Sequence, residues 1–201
     1  NLRERLRVNH QMPRNSFILR RPFPYVYRRT ALFIILLNFC IFGLQFVYPE
    51  LYRYVFVYSV MSPKAVEHYH MYWQFISYMF MHGSFQHVFF NMLALLVFGF
   101  RLEKAIGSRE FLLFYLLCGA LSGFFSFLVY KYTGQMSVRL LGASGAVYAI
   151  LFAYAVFFPR SVFFIWGIIP VPAPILVLIY ALIELGSQFF GRGTNVAHMT
   201  H

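Results

Sequence analysis

Ser144 stands between Gly142 and Gly145 in the apolar run LLGASGAVYAILFAYAVFF, residues 140–158. A serine hydroxyl becomes a competent nucleophile when a base takes its proton, and neutral imidazole suits that task near pH 7. His198 is the candidate base. Attack on an amide creates an oxyanion, which needs fixed donors in a dry site. The Ser144 N–H, the Asn91 side-chain amide and a ring N–H of His87 are candidates for those donors. His87 and Asn91 are spaced i, i+4, which puts both on one face of a helix. Glycine at 142 and 145 lets a substrate backbone approach and a helix start tightly. Each piece also has a plainer reading. G-x-S-G in a membrane helix is a small-residue packing pattern. His87 with Asn91 can be an interhelical hydrogen-bond pair, and His198 a solvated or capping histidine.

The elements that must position these residues are membrane helices. The chain has 201 residues, 60% hydrophobic and 11% charged, with mean hydropathy +0.64. Soluble domains carry roughly twice that share of charge, so a bilayer must act as solvent for much of this surface. A span needs about 20 apolar residues. Five candidates follow, near 31–48, 87–100 (extended backwards), 111–130, 140–158 and 174–190. A sixth starts near Asn195, and the stub to His201 is too short to cross, so that span is expected to continue further. The expectation is an all-α polytopic bundle, five spans plus the start of a sixth, with a basic arm at 1–30 and a membrane domain at 31–201.

Eight of the 17 Lys and Arg residues precede residue 30, opposed only by Glu4. Beside a hydrophobic run, such an arm reads as a cytoplasmic terminus on anionic lipid rather than a nucleic-acid tail. The first apolar run reads as a retained anchor, and the Arg-rich start also resembles a mitochondrial transit segment. With the N-terminus inside, the second, fourth and sixth spans all run inward. His87, Asn91, Ser144 and His198 then fall at similar depth near the outer surface. That agreement lowers the joint weight of the plainer readings.

The 49–86 connection holds seven of the 15 tyrosines, counting Tyr48, together with Trp73. Its aromatics predict a segment lying in the membrane interface. "IIPVPAP" at 168–174 reads as a Pro-punctuated turn. Gly119 and Gly123 form a G-x-x-x-G that packs helices. Glu103 and the "GSRE" turn organise the inner connection, while Glu184 either faces the bundle or snorkels. Cys40 and Cys118 make no disulfide framework. His198 with His201, or His68, His70 and His82, have spacings open to a metal, but no H-E-x-x-H occurs.

"HGSFQHVFFNM", "LEKAIGS", "GASGAVYA" and "NVAH", in this order, resemble a rhomboid intramembrane serine protease, from roughly Trp73 to His198. The resemblance implies a six-helix bundle with a water-accessible site sunk below the outer surface. It implies Ser144 as nucleophile and His198 as base, without an acid, and His87 with Asn91 as the oxyanion-stabilising pair. His82 would brace the interfacial segment, and Glu103 with Gly107 would form an inner-side E-x-x-x-G element. The family cuts transmembrane segments, preferring small residues at the cut, and uses no metal or cofactor. Two positions depart from its pattern: Gln74 follows Trp73 where arginine is frequent, and His201 stands where glycine is usual.

The leading reading is therefore a serine endopeptidase acting on transmembrane segments, in contact with lipid and not with nucleic acid. A bacterial inner membrane is the expected location and the mitochondrial inner membrane the alternative. A non-catalytic relative that binds membrane helices is the rival. A transporter fits less well, because the inner halves of the spans read Phe, Leu and Val and continue no polar path.

Overall fold

A computed structural model describes residues 26–165, 168–179 and 182. Helix α1 covers Thr30–Val47, α2 Pro49–Ser59 and α3 Pro63–Tyr69. Helix α4, Gln74–Ser77, runs into a 3-10 turn at Tyr78–Phe80. Helix α5, Phe85–Ala94, continues through a π turn at Leu95–Gly99 into α6, Phe100–Ile106. Helices α7, Ser108–Tyr132, and α8, Ser144–Phe157, follow. A hairpin of β1, Val162–Ile165, and β2, Ile169–Pro172, pairs antiparallel with Val162 opposite Pro172.

Thr30–Val47, Phe85–Ile106 and Ser108–Tyr132 are each long and apolar enough to span a bilayer. Their outward faces remain greasy: Phe33 is 65% exposed, Phe125 68% and, on α8, Phe152 68%. In water such a surface would aggregate; in lipid it is solvated. The chain is a helical integral membrane protein. Its core forms where the inward faces meet, at Val88, Met92, Leu95, Phe111, Tyr115, Val147, Ile150 and Tyr154.

At the end of the bundle away from Ser144, Glu103 ties three helices together. Arg29 precedes α1 in a left-handed conformation, φ 58, and supplies no side-chain cap. The fully buried Glu103 carboxylate does so from α6, accepting the N–H groups of Thr30 at 2.7 Å and Ala31 at 3.0 Å. A carboxylate there also meets the positive end of the α1 dipole. The Ser108 hydroxyl donates to the same carboxylate and accepts the Arg28 N–H at 2.7 Å. Gly107, at φ 98, makes the reversal between α6 and α7 that brings Ser108 back to Glu103.

The structure departs from the sequence expectation in several places. The fourth span starts at Ser144 rather than 140, because Leu140 and Gly142 spend their backbone groups on other partners. The second runs to Ile106, well past 100. The proline-rich stretch is no simple turn: 169–172 is a strand, since the β1 partner of its prolines needs no N–H from them. Phe163 of β1 packs on Phe98 and Tyr154, with ring centroids 5.0 and 5.7 Å away, which seats the hairpin under α8. Helix resumes over 173–179, at the start of the expected fifth span. Gly119 and Gly123 lie on α7, yet the room they leave is filled by Met79 and Tyr78 of the 3-10 turn.

Candidate active site

Ser144 is the first residue of α8 and is half-buried. Two elements hold the loop that carries it. Leu140 exchanges backbone hydrogen bonds with Met61, at 2.8 and 3.1 Å, and the Gly142 N–H donates to the Tyr78 carbonyl at 3.0 Å. Gly142 has φ 109, a conformation side chains rarely adopt. It also lacks room for one, since a Cβ there would sit 2.5 Å from both Cε1 and Nε2 of His87. The His87 imidazole is thus laid on the backbone two residues before Ser144. Gly145 is equally constrained: a Cβ would strike the Ser122 side chain, with Cβ 2.6 Å away. That closeness lets α7 and α8 pack backbone to side chain around the candidate nucleophile.

The helix start matters chemically. N–H groups of a first helical turn have no carbonyl four residues earlier to bind, and the dipole there favours negative charge. The Ser144 N–H belongs to that turn. An oxygen developing charge beside it would meet an electrostatically favourable environment.

The start of α5 lies next to the start of α8. The Ser84 side chain caps α5 by accepting the His87 N–H at 3.2 Å. One turn on, Asn91 is buried, 3% exposed, and its Nδ2 donates to the His87 carbonyl at 2.9 Å. That bond uses one of the two amide hydrogens and leaves the second. Asn91 Oδ1 has no partner among the described residues. His82 is 2% exposed and sits edge-on to the His87 ring, centroids 5.0 Å apart. Neither of its ring nitrogens has a hydrogen-bonding partner among the described residues. Burial chiefly, and then His87, push the His82 imidazole down to about 3, while the Phe80 backbone opposes them without reaching hydrogen-bond geometry. The Tyr52 hydroxyl reaches from α2 to the His82 carbonyl at 3.3 Å.

His82, His87, Asn91, Gly142, Ser144 and Gly145 therefore share one end of the bundle, whereas Glu103 and Gly107 lie at the other and act on α1 and α7. His198, His201, Glu184 and Asn195 lie outside the described residues. Of the remaining histidines with spacings open to a metal, His70 is 3.0 Å from the Tyr72 hydroxyl.

The roles of three residues around the site were not legible in the sequence. Gln74 is fully buried; its side chain accepts the Ser62 N–H at 3.1 Å and donates to the Tyr58 carbonyl at 3.2 Å. Trp73 Nε1 donates to that same carbonyl at 2.9 Å. The amide thus cross-links the interfacial segment without a charge, where the family pattern often has arginine. Tyr78 is 2% exposed, in contrast to Tyr54 and Tyr72 on the rim at 63% and 59%. Tyrosine count could not separate these two classes. Ser122 sits one residue before Gly123, and that adjacency was its only sequence signal.

The rhomboid domain family model matches residues 69–201. Rhomboid protease GlpG of Haemophilus influenzae is 33% identical over 79 residues, 39% of this chain and 38% of that protein. Rhomboid-like protein 15 of Arabidopsis thaliana is 28% identical over 148 residues, covering 65% of this chain and 36% of that protein. Rhomboid-related protein 2 of Mus musculus is 37% identical over 82 residues, 41% of this chain and 26% of that protein. The matched part spans well under half the length of each relative. With the family model matching most of the sequence, and with histidine, asparagine and serine gathered at one end of a membrane bundle, the chain belongs to the rhomboid family.

Proposed function

We propose that the chain is an intramembrane serine endopeptidase that cuts transmembrane segments of other proteins. The observation that carries this reading is the His87 imidazole lying on Gly142, which puts polar groups of α5 beside the start of α8. Relatives named rhomboid proteases support the same class of chemistry.

In this reading His198 takes the Ser144 proton as Oγ attacks a substrate carbonyl. The Ser144 N–H, the free amide hydrogen of Asn91 and a His87 ring N–H stabilise the oxyanion. Collapse of the intermediate breaks the C–N bond, His198 gives its proton to the departing amine, and water then hydrolyses the acyl-enzyme with the neutral imidazole again as base. A short α8 suits such a site. Its 14 residues rise about 21 Å at about 1.5 Å each, less than a hydrocarbon core of about 30 Å. Its far end is pinned by Arg101, which stacks 4.6 Å over Phe158 and donates to the Tyr154 hydroxyl at 3.1 Å. A helix fixed at one face stops short of the other, and Ser144 lies below that surface. The basic arm at 1–30 orients the N-terminus to the cytoplasm in this reading, and a bacterial inner membrane is the favoured location over a mitochondrial one.

The test is a fluorophosphonate probe on the full-length protein, run beside cleavage of a reporter transmembrane segment. Ser144 should be labelled, and Ser144→Ala should abolish both signals. Asn91→Ala should lower the cleavage rate by about a hundredfold with the fold retained. A folded protein that is neither labelled nor active would favour a non-catalytic helix-binding relative.

A further inference from the structure

Resting on the reading of Ser144 as nucleophile, we infer that Tyr78 is a positioning residue that sets the height of Ser144 against α7. Tyr78 sits at a junction of three elements. Its carbonyl accepts the Gly142 N–H at 3.0 Å and so holds the loop leading into α8. Its phenol hydroxyl donates to the Gly119 carbonyl of α7 at 2.7 Å, in a buried bond. Its ring fills the notch at Gly123, where a Cβ would lie 2.7 Å from Cε1. The hydroxyl also sits 3.6 Å from where a Gly145 Cβ would be, on the residue after Ser144.

The side chain therefore fixes the 3-10 turn on α7, and the main chain of that turn fixes Gly142. The glycine pattern on α7 serves this clamp: without side chains at 119 and 123, a tyrosine and a methionine from the interfacial segment seat against the helix backbone. Met61 holds the same loop from its other side through the Leu140 bridge. The long 49–86 connection thus acts as a template on which the Ser144 loop is laid. Misplacing a nucleophile by about 1 Å costs up to a hundredfold in rate while leaving docking of the substrate intact.

Tyr78→Phe removes the hydroxyl and keeps the ring and the carbonyl. The experiment compares wild type and Tyr78→Phe as full-length proteins in proteoliposomes. It reads kcat and KM on a reporter transmembrane segment, the rate of fluorophosphonate labelling, and the thermal midpoint. Expected is a fall of about tenfold in kcat and in labelling rate, with KM within about twofold. An unchanged kcat with a lowered midpoint would make Tyr78 merely structural and overturn the inference, as would a raised KM at constant kcat. Ser122→Ala, which removes the hydroxyl beside the phenol, reports on the same clamp if Tyr78→Phe does not fold: a smaller fall in kcat at constant KM supports it, and no change overturns it. Wild-type protein that neither cleaves nor labels sinks the nucleophile reading itself and the positioning role with it, an outcome distinct from a failure confined to the variants.

Discussion

The imidazole of His87 rests on the backbone of Gly142, so close that a methyl group on the glycine would come within 2.5 Å of two ring atoms. One helix start is thereby registered against another, and the polar groups of α5 are presented to the loop that carries Ser144.

Gly142→Ala should abolish most activity. The added carbon forces the His87 ring away and puts alanine at φ 109, a strain of about 1–3 kcal/mol. Cleavage should fall by at least about a hundredfold, with a lower thermal midpoint. Near-normal turnover would show that the His87 placement is dispensable.

Gly145→Ala should fail for a different reason, a collision with Ser122 across the α7–α8 contact. Because both Oγ and Cβ of Ser122 are in the way, Ser122→Ala should not restore the fold, whereas Ser122→Gly in the same chain should recover part of it. Thermal unfolding of the single and double variants measures this coupling. Additive losses would contradict the packing argument.

Glu103→Gln should cost stability rather than chemistry. An amide offers one oxygen where the carboxylate serves Thr30, Ala31 and Ser108. The expected loss is about 1–3 kcal/mol, read from denaturation in detergent. Fluorophosphonate labelling per folded molecule should stay near the wild-type rate, since Glu103 lies at the opposite end of the bundle.

His82 should give the protein an acid sensitivity. Its folded value, about 3, lies below the ordinary 6.5, so the unfolded chain binds a proton that the native state refuses. The stabilising contribution is complete above about pH 6.5 and is lost as pH falls towards about 3. Thermal midpoints taken from pH 7 to pH 4 should decline in wild type and decline less in His82→Gln. Parallel slopes would assign the acid sensitivity to other groups.

Much of the site could be read without coordinates. Hydrophobic run length gave the spans of α1, α5–α6 and α7 to within a few residues at most ends, because a bilayer demands a fixed length of apolar helix. Alternation of direction then put His87, Asn91 and Ser144 at one depth, and in the structure His87 and the Ser144 loop do meet. The exact start of α8 was not readable. It depends on where Leu140 and Gly142 find backbone partners, and those partners, Met61 and Tyr78, are distant in sequence.

The sequence alone thus determined that this is a membrane bundle and that His87, Asn91 and Ser144 fall near one end of it, since both follow from local hydropathy and helix counting, while His198, expected at the same depth, lies outside the described residues. Only the tertiary structure decided why Gly142 and Gly145 must be glycines, that Tyr78 is a buried clamp rather than an interfacial tyrosine, and that Glu103 caps a helix more than 70 residues away in sequence. Those roles arise from contacts between segments far apart in the chain, and nothing in the local order of residues encodes which atoms will come within a few ångströms of one another.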